Sequence, residues 1–262
     1  MVYLIFFIVC FLASVIGAIC GIGGGVVIKP VLDAIGILDV EVISFLSGCT
    51  VLSMTTYSVL KGKLSGTSKV DQRTGMPLAL GAAVGGLLGK AMFSWVLAVS
   101  PDKNRVGAIQ AGCLMLITVG TLVYTIFKSK VKTLHISNMI CCAVIGMVLG
   151  IMSSFLGIGG GPINLVVLFF FFSMTTKTAA ENSLYIIFFS QIASLLSSLI
   201  KGNVPEFGIG LLILMAGGGI CGGIAGRALN KKLPDRTVDK LFMGIMVVII
   251  FINIYNIWKF MG

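Results

Sequence analysis

The chain has 262 residues, 57% of them hydrophobic and only 11% charged, and its mean hydropathy is +1.09. A soluble domain needs a polar surface and does not reach such values, so a water-soluble enzyme is excluded and a multi-pass membrane protein remains. The net charge of +10 does not point to nucleic acid, because the basic residues are scattered among short connections instead of lining one face.

In chain order, residues 3–20, 42–60, 75–97, 106–127, 138–156, 182–200, 207–226 and 241–258 form apolar stretches, each about as long as the roughly 20-residue helix that spans a bilayer. The first is read as mature structure and not as a signal peptide, since no basic residue precedes it and it runs straight into a glycine cluster. Polar connections are short, the longest being 61–74 and 128–137, so no separate soluble domain fits between the stretches. The seven cysteines lie almost entirely in apolar segments without CxxC or Cys/His spacing, and are read as small core fillers.

Gly21-Ile-Gly-Gly-Gly25 closes the first stretch and returns 136 residues later as Gly157-Ile-Gly-Gly-Gly161. The echo extends to Gly85-Gly-Leu-Leu-Gly-Lys90 with Gly222-Gly-Ile-Ala-Gly-Arg227, to Lys61-Gly62 with Lys201-Gly202, and to Pro101-Asp102 with Pro234-Asp235. Several motifs repeating at similar offsets predict a tandem duplication, residues 1–131 and 132–262. Short apolar runs follow the two clusters, 26–38 and 162–173. At 1.5 Å per residue they cover about 18 to 20 Å of a roughly 30 Å hydrocarbon core, so they are expected to re-enter instead of crossing.

If each cluster reverses the chain, one side of the membrane collects Lys61, Lys63, Lys69, Arg73, Lys128, Lys130, Lys132, Lys177, Lys231, Lys232, Arg236 and Lys240. The other side then holds Lys103, Arg105, Lys201 and Lys259. A chain running straight through each cluster would divide the same residues almost evenly. Basic residues concentrate on cytoplasmic loops, which favours reversal. The prediction is an all-α polytopic membrane protein of two inverted repeats, each a glycine-turn hairpin plus three transmembrane helices. The twelve-charge side is then cytoplasmic and both termini are extracytoplasmic.

A chain reversal inside hydrocarbon leaves backbone groups without helical partners, which is tolerated only where protein or a water-lined cavity covers them. The first N–H groups of the helices beginning near Val26 and Pro162, with the positive helix end and the glycine amides, form an anion site. Proline at 162 suits a first helical turn, where its missing N–H would be unpaired anyway. For Gly81, Gly85, Gly89 and for Gly218, Gly222, Gly226 the four-residue spacing is read instead as close helix crossing. Three adjacent glycines point all around a helix, so packing alone does not explain the clusters. A dinucleotide-binding loop fits poorly too, because position 26 is valine and no βαβ unit surrounds it.

Paired glycine turns in two hydrophobic halves, each followed by a helix ending in Lys-Gly and a Gly-Gly-x-x-Gly-basic helix, resemble the TauE/SafE family of sulfite and organosulfonate exporters, within the wider sulfonate uptake permease group. The likeness covers essentially the whole chain. It implies a plasma-membrane carrier for small sulfur-containing oxyanions such as sulfite, sulfoacetate or related sulfonates. Where the family often has Gly-Thr-Ser at the start of the helix after each short segment, this chain has Glu181-Asn182-Ser183 and, in the first half, Ser47-Gly48-Cys49-Thr50.

The expected substrate-binding residues are Gly21, Gly23, Gly24, Gly25, Lys29, Ser47, Thr50, Gly157, Gly159, Gly160, Gly161, Asn164, Asn182, Ser183 and Gln191. Lys29 either balances anion charge or extends to an interface, and its counterpart in the second half is Leu165. Lys90 and Arg227 are read as snorkelling from helix ends. Glu181 is either a protonation site that couples transport or a charge favoured by a helix N-terminus. No nucleophile with a base, carboxylate pair or metal-ligand set emerges, so neither catalysis nor a cofactor or metal is expected. The expected partners are a small anion and membrane lipid, with a homo-oligomer left open. The rival readings are a passive anion channel and a non-transporting membrane scaffold.

Overall fold

The computed structural model describes residues 2–66, 68–100 and 102–261, apart from the side chains of Val2, Lys103 and Ser129. Pro101 of the repeated Pro-Asp pair, and the Lys103 charge, therefore lie outside the described residues. The described residues form ten α-helices and no strand: α1 (Val2–Cys20), α2 (Gly25–Ile35), α3 (Val40–Leu64), α4 (Gln72–Val99), α5 (Lys103–Phe127), α6 (Met139–Leu156), α7 (Pro162–Phe172), α8 (Thr176–Ile200), α9 (Ile209–Lys232) and α10 (Asp235–Met261). Among them, all but α2 and α7 are long and apolar enough to cross a membrane, eight in number.

Polar side chains close the helix starts where the chain emerges. Asp71, Asp102 and Asn138 accept first-turn N–H bonds at the starts of α4, α5 and α6. Left-handed residues stop the short helices and α6: Gly36 after α2, Gly157 after α6 and Ser173 after α7.

Glycine stripes set the closest helix pairs. On α4, a Cβ at Gly81, Gly85 or Gly89 would strike the backbone of Ala143, Met147 or Ile151 on α6. On α9, Gly218, Gly222 and Gly226 meet Phe7, Phe11 and Val15 of α1 in the same manner. In both pairs the residue numbers rise together, so the partners run parallel. Likewise α3 runs parallel to α9, with Thr50 against Gly219 and Met54 against Gly223, while α4 runs parallel to α8, with Gly75 by Asn182 and Gly86 by Ser190. At the centre α3 and α8 run antiparallel, Gly48 lying beside Gln191. Thus α1, α3 and α9 share one direction, and α4, α6 and α8 share the other. The pairing pattern is kept when each helix is exchanged for the one five places on: α4–α6 is matched by α9–α1, α4–α8 by α9–α3, and α2–α10 by α7–α5.

Four connections gather at one end of the bundle. There Lys69 N–H donates to Glu181, Lys128 pairs with Asp239, and the N–H groups of Leu134 and Ile136 donate to the carbonyls of Phe170 and Phe171. This end carries the basic loops, and we call it the basic end. Because α7 finishes beside the segment that leads into α6, the α6–α7 hairpin returns to the end it left. Large apolar residues such as Trp95, Leu116, Ile213 and Phe251 are exposed around the outside, as a lipid-facing surface requires. Two cysteines depart from the core-filler reading: Cys141 and Cys221 lie on that outer face, while Cys10, Cys20 and Cys142 are buried.

Candidate anion site between two glycine turns

The two glycine clusters are turns, and they touch. Gly21 and Gly23 have φ of 76° and 70°, and Gly157, Gly159, Gly160 and Gly161 have φ of 66°, 77°, 124° and 91°, conformations that side chains resist. A Cβ on Gly25 would collide with the Ile158 carbonyl, and one on Gly161 would come within 2.5 Å of the Val26 side chain. Gly23 and Gly160 both abut Ile187, and Gly159 abuts Val51. Val51 and Ile187 stand near the midpoints of α3 and α8, so the turns meet at half height inside the bundle. Cys20, Ile22, Val26, Leu156 and Ile158 seal them into one apolar core.

Unused backbone donors collect there. Ile22 and Ile158 N–H reach back to Gly17 and Ser153 carbonyls, and Val27, Ile28 and Asn164 N–H donate to the cap carbonyls of Gly24 and Gly161. The N–H groups of Gly23, Gly24, Gly25 and Val26, and of Gly159, Gly160, Gly161 and Ile163, have no acceptor among the described residues. Helix α2 begins at Gly25, one residue before the expected start, and α7 begins at Pro162 as expected.

The expected side chains do not all converge on the turns. Asn164 does: it is 1% exposed, both its amide atoms lack partners, and its Nδ2 would lie 2.9 Å from a Cβ on Gly160. Ser47 and Ser183 are fully buried with unpartnered hydroxyls, one turn before Val51 and Ile187. Gln191 donates to Ser153 at 3.5 Å beside the second turn. Thr50 instead donates to the Leu46 carbonyl and faces α9, and Asn182 reaches Thr178 and Lys69 at the basic end. Lys29 lies one turn along α2 with its ammonium 2.7 Å from Asp33, so its charge is already neutralised. Glu181 lines a cavity at the basic end and accepts the Lys69 N–H at 2.7 Å.

That cavity has a volume of about 230 Å³ and runs between Ser58, Gly62, Lys63, Gln72, Glu181 and Arg227, with a smaller recess floored by Ala18 and Ala180. Ala180 abuts Gly21, so the recess ends at the first turn. Arg227 donates to the Ser58 carbonyl at 2.8 Å and lines both the cavity and the recess. It is not at the end of α9, and Lys90 is further still from the end of α4 at Val99, nine residues or about 14 Å away. Lys90 thus does not lie near a helix end as expected, whereas Arg227 lies within about a turn and a half of one. Both line cavities that the sequence reading did not assign to them, although a basic residue closing each glycine stripe was the available signal.

The profile of the family described as "Sulfite exporter TauE/SafE" matches residues 6–252 of this chain. The chain belongs to that family. The match takes in both glycine turns and both of the basic residues that end the glycine stripes. Among family relatives, the chain is similar to the probable membrane transporter protein YunE of Bacillus subtilis, 24% identical over 95% of this chain and 96% of the relative. A probable membrane transporter protein of Haemophilus influenzae is 25% identical over 93% of this chain and 94% of its own length. Probable membrane transporter protein MamO of Magnetospirillum gryphiswaldense is 29% identical over 41% of this chain but only 18% of its own length. No solved structure matches the chain. Family and relatives agree that this is a multi-pass membrane transporter.

Proposed function

We propose that the protein carries small sulfur-containing oxyanions, sulfite, sulfoacetate or related organosulfonates, out across the plasma membrane by alternating access. Residues 1–131 and 132–262 are then inverted repeats with re-entrant α2 and α7, the basic end is cytoplasmic and both termini are extracytoplasmic. Support for the inversion comes from helix direction, since α1 runs opposite to α6, α3 opposite to α8, and α4 opposite to α9. Support for the orientation comes from the basic loops gathered at one end.

One observation carries the functional reading: two helix starts with unused N–H groups meet at half height, where no water would otherwise replace an anion's hydration shell. The basic-end cavity opens toward Gly21 past Arg227, with Glu181, the residue we propose for coupling, on its wall. A passive channel would need a second passage of similar width. The recess that reaches Gly21 and the cavity beside Gly157 each have a volume of about 20 Å³, room for roughly one water, so no continuous passage runs from end to end among the described residues, which favours a carrier.

Reconstituted vesicles test the reading. Saturable uptake of radiolabelled sulfite with counterflow is expected. Failure of sulfite and sulfonates to move under any gradient, with movement of a cation instead, would sink it.

A further inference from the structure

The two chambers flanking the glycine turns are built from the same positions of the two repeats. At the basic end, Ala18, Ala180, Glu181, Arg227 and Asn230 wall the recess; at the other end, Ser154, Ser44, Phe45, Lys90 and Phe93 stand at the positions 136 or 137 residues removed. Arg227 also lines the way out, beside Gly62, and Lys90 lines a groove that leads to Lys201 and Asn203 beside Ser198, which the packing register makes the counterpart of Gly62 in place of Gly202. Each chamber thus has a cation at its outer rim and a glycine turn at its inner wall.

The two differ in what the cation holds. Arg227 is bonded to the Ser58 carbonyl. The Lys90 ammonium makes no hydrogen bond or ion pair to a described residue, and its near neighbour is the Phe93 ring, 5.0 Å away. Ser44, 7% exposed, lines the same chamber with a hydroxyl that has no partner. Gln191, Ser154 and Ser194 complete a wall that includes no carboxylate among the described residues, Glu41 acting on Lys90 only through space. A half-buried ammonium and an orphaned hydroxyl facing one small cavity are costly in a membrane unless a ligand uses them.

We propose that this chamber is a second oxyanion site, the extracytoplasmic counterpart of the Arg227 passage, in which Lys90 and Ser44 hold the anion when the carrier opens away from the basic end. The proposal rests on the transporter reading above. In this structure the chamber holds roughly one water, as does the recess at Gly21, while the outer cavity of about 230 Å³ opens at the basic end, so Lys90 acts in the opposite state.

Radiolabelled sulfite flux in vesicles of defined orientation tests this. Lys90→Gln is expected to raise KM at the extracytoplasmic face about tenfold or more, the loss of one charge-assisted bond, with a smaller change at the basic face. Lys90→Arg should restore most of it, and Arg227→Gln should show the reverse sidedness. If wild-type protein moves sulfite but Lys90→Gln alters neither face, or both equally, Lys90 holds no sided site and the proposal falls while transport stands. If wild-type protein moves no sulfite, the transporter reading falls first. Should Lys90→Gln fail to fold, Ser44→Ala decides, because its hydroxyl supports no other residue. A KM rise confined to the extracytoplasmic face upholds the site, and unchanged kinetics overturn it.

Discussion

Helix α2 ends beneath α10, where the Lys259 ammonium donates to the carbonyls of Asp33 and Ala34, at 3.1 and 3.0 Å. Helix α7 ends against an extended segment, whose Leu134 and Ile136 N–H groups donate to Phe170 and Phe171, while Ser173 donates to the Leu134 carbonyl. Both arrangements supply donors to carbonyls that a helix end leaves unpaired, a need that hydrocarbon cannot meet. Inside the helices the contrast is sharper. Helix α2 carries the buried Lys29–Asp33 pair, with Asn256 of α10 donating to the Pro30 carbonyl nearby, whereas the counterpart positions in α7 are Leu165 and Phe169. The turns differ as well. Gly159, Gly160 and Gly161 are all left-handed in the second, but Gly24 in the first has φ −62° and ψ −23°, which any residue adopts. The two hairpins therefore share a backbone requirement but meet it with different residues.

The turn contrast predicts the largest effect. Gly160→Val, strained in φ and driven into Ile187, should cost about 2 to 6 kcal/mol and yield aggregated or poorly inserted protein. Gly24→Ala, whose Cβ would lie 3.0 Å from the Ser14 hydroxyl, should unfold within about 1 kcal/mol of wild type in detergent melts. Equal tolerance at both positions would erase the distinction between the turns.

Next comes the ion pair. Asp33→Ala leaves a buried ammonium unpaired and should cost about 3 to 5 kcal/mol, while Lys29→Leu with Asp33→Val, which gives α2 the apolar character of α7, should recover most of the loss. A double variant no more stable than the single one would mean that the pair has a role beyond neutralising itself. Lys259→Met, removing two charge-assisted bonds, should cost about 1 to 3 kcal/mol. Hydrogen exchange should then rise at 33–36 and stay constant at 170–173; a rise at both would show that the hairpin ends are not independently held. Thr133→Val removes only the 2.6 Å bond between its hydroxyl and that of Ser173 at an exposed site and should shift stability by about 0.5 to 1 kcal/mol, the smallest effect of the series.

Much of the architecture is legible in the residues alone. The apolar stretches match the eight long helices, although α3, α4 and α10 continue past them into polar residues such as Lys61, Gln72 and Asp235, because hydropathy marks what lies in hydrocarbon and not where the backbone ladder ends. The Lys29–Asp33 pair is also within reach, since its spacing of four residues is that of neighbours on one helix face. The register between α3 and α8 is not. Gly157 packs on Ser44 and Gly21 on Ala180, so the counterpart of Glu181-Asn182-Ser183 is Phe45-Leu46-Ser47, one turn before the expected Ser47–Thr50 match. That shift explains why Thr50 turns to α9 and Asn182 to the basic end. Nothing in the residues around them states which neighbour each helix face will meet.

By itself the sequence determines the number and approximate place of the apolar helices and the points where glycines let the chain turn, because these follow from local costs of hydration and backbone geometry. Only the tertiary structure decides which polar groups are left waiting. Lys29 is neutralised and Lys90 is not, and Asn164 reaches a turn that Thr50 does not, because a buried group's partners come from whichever helix lies alongside it.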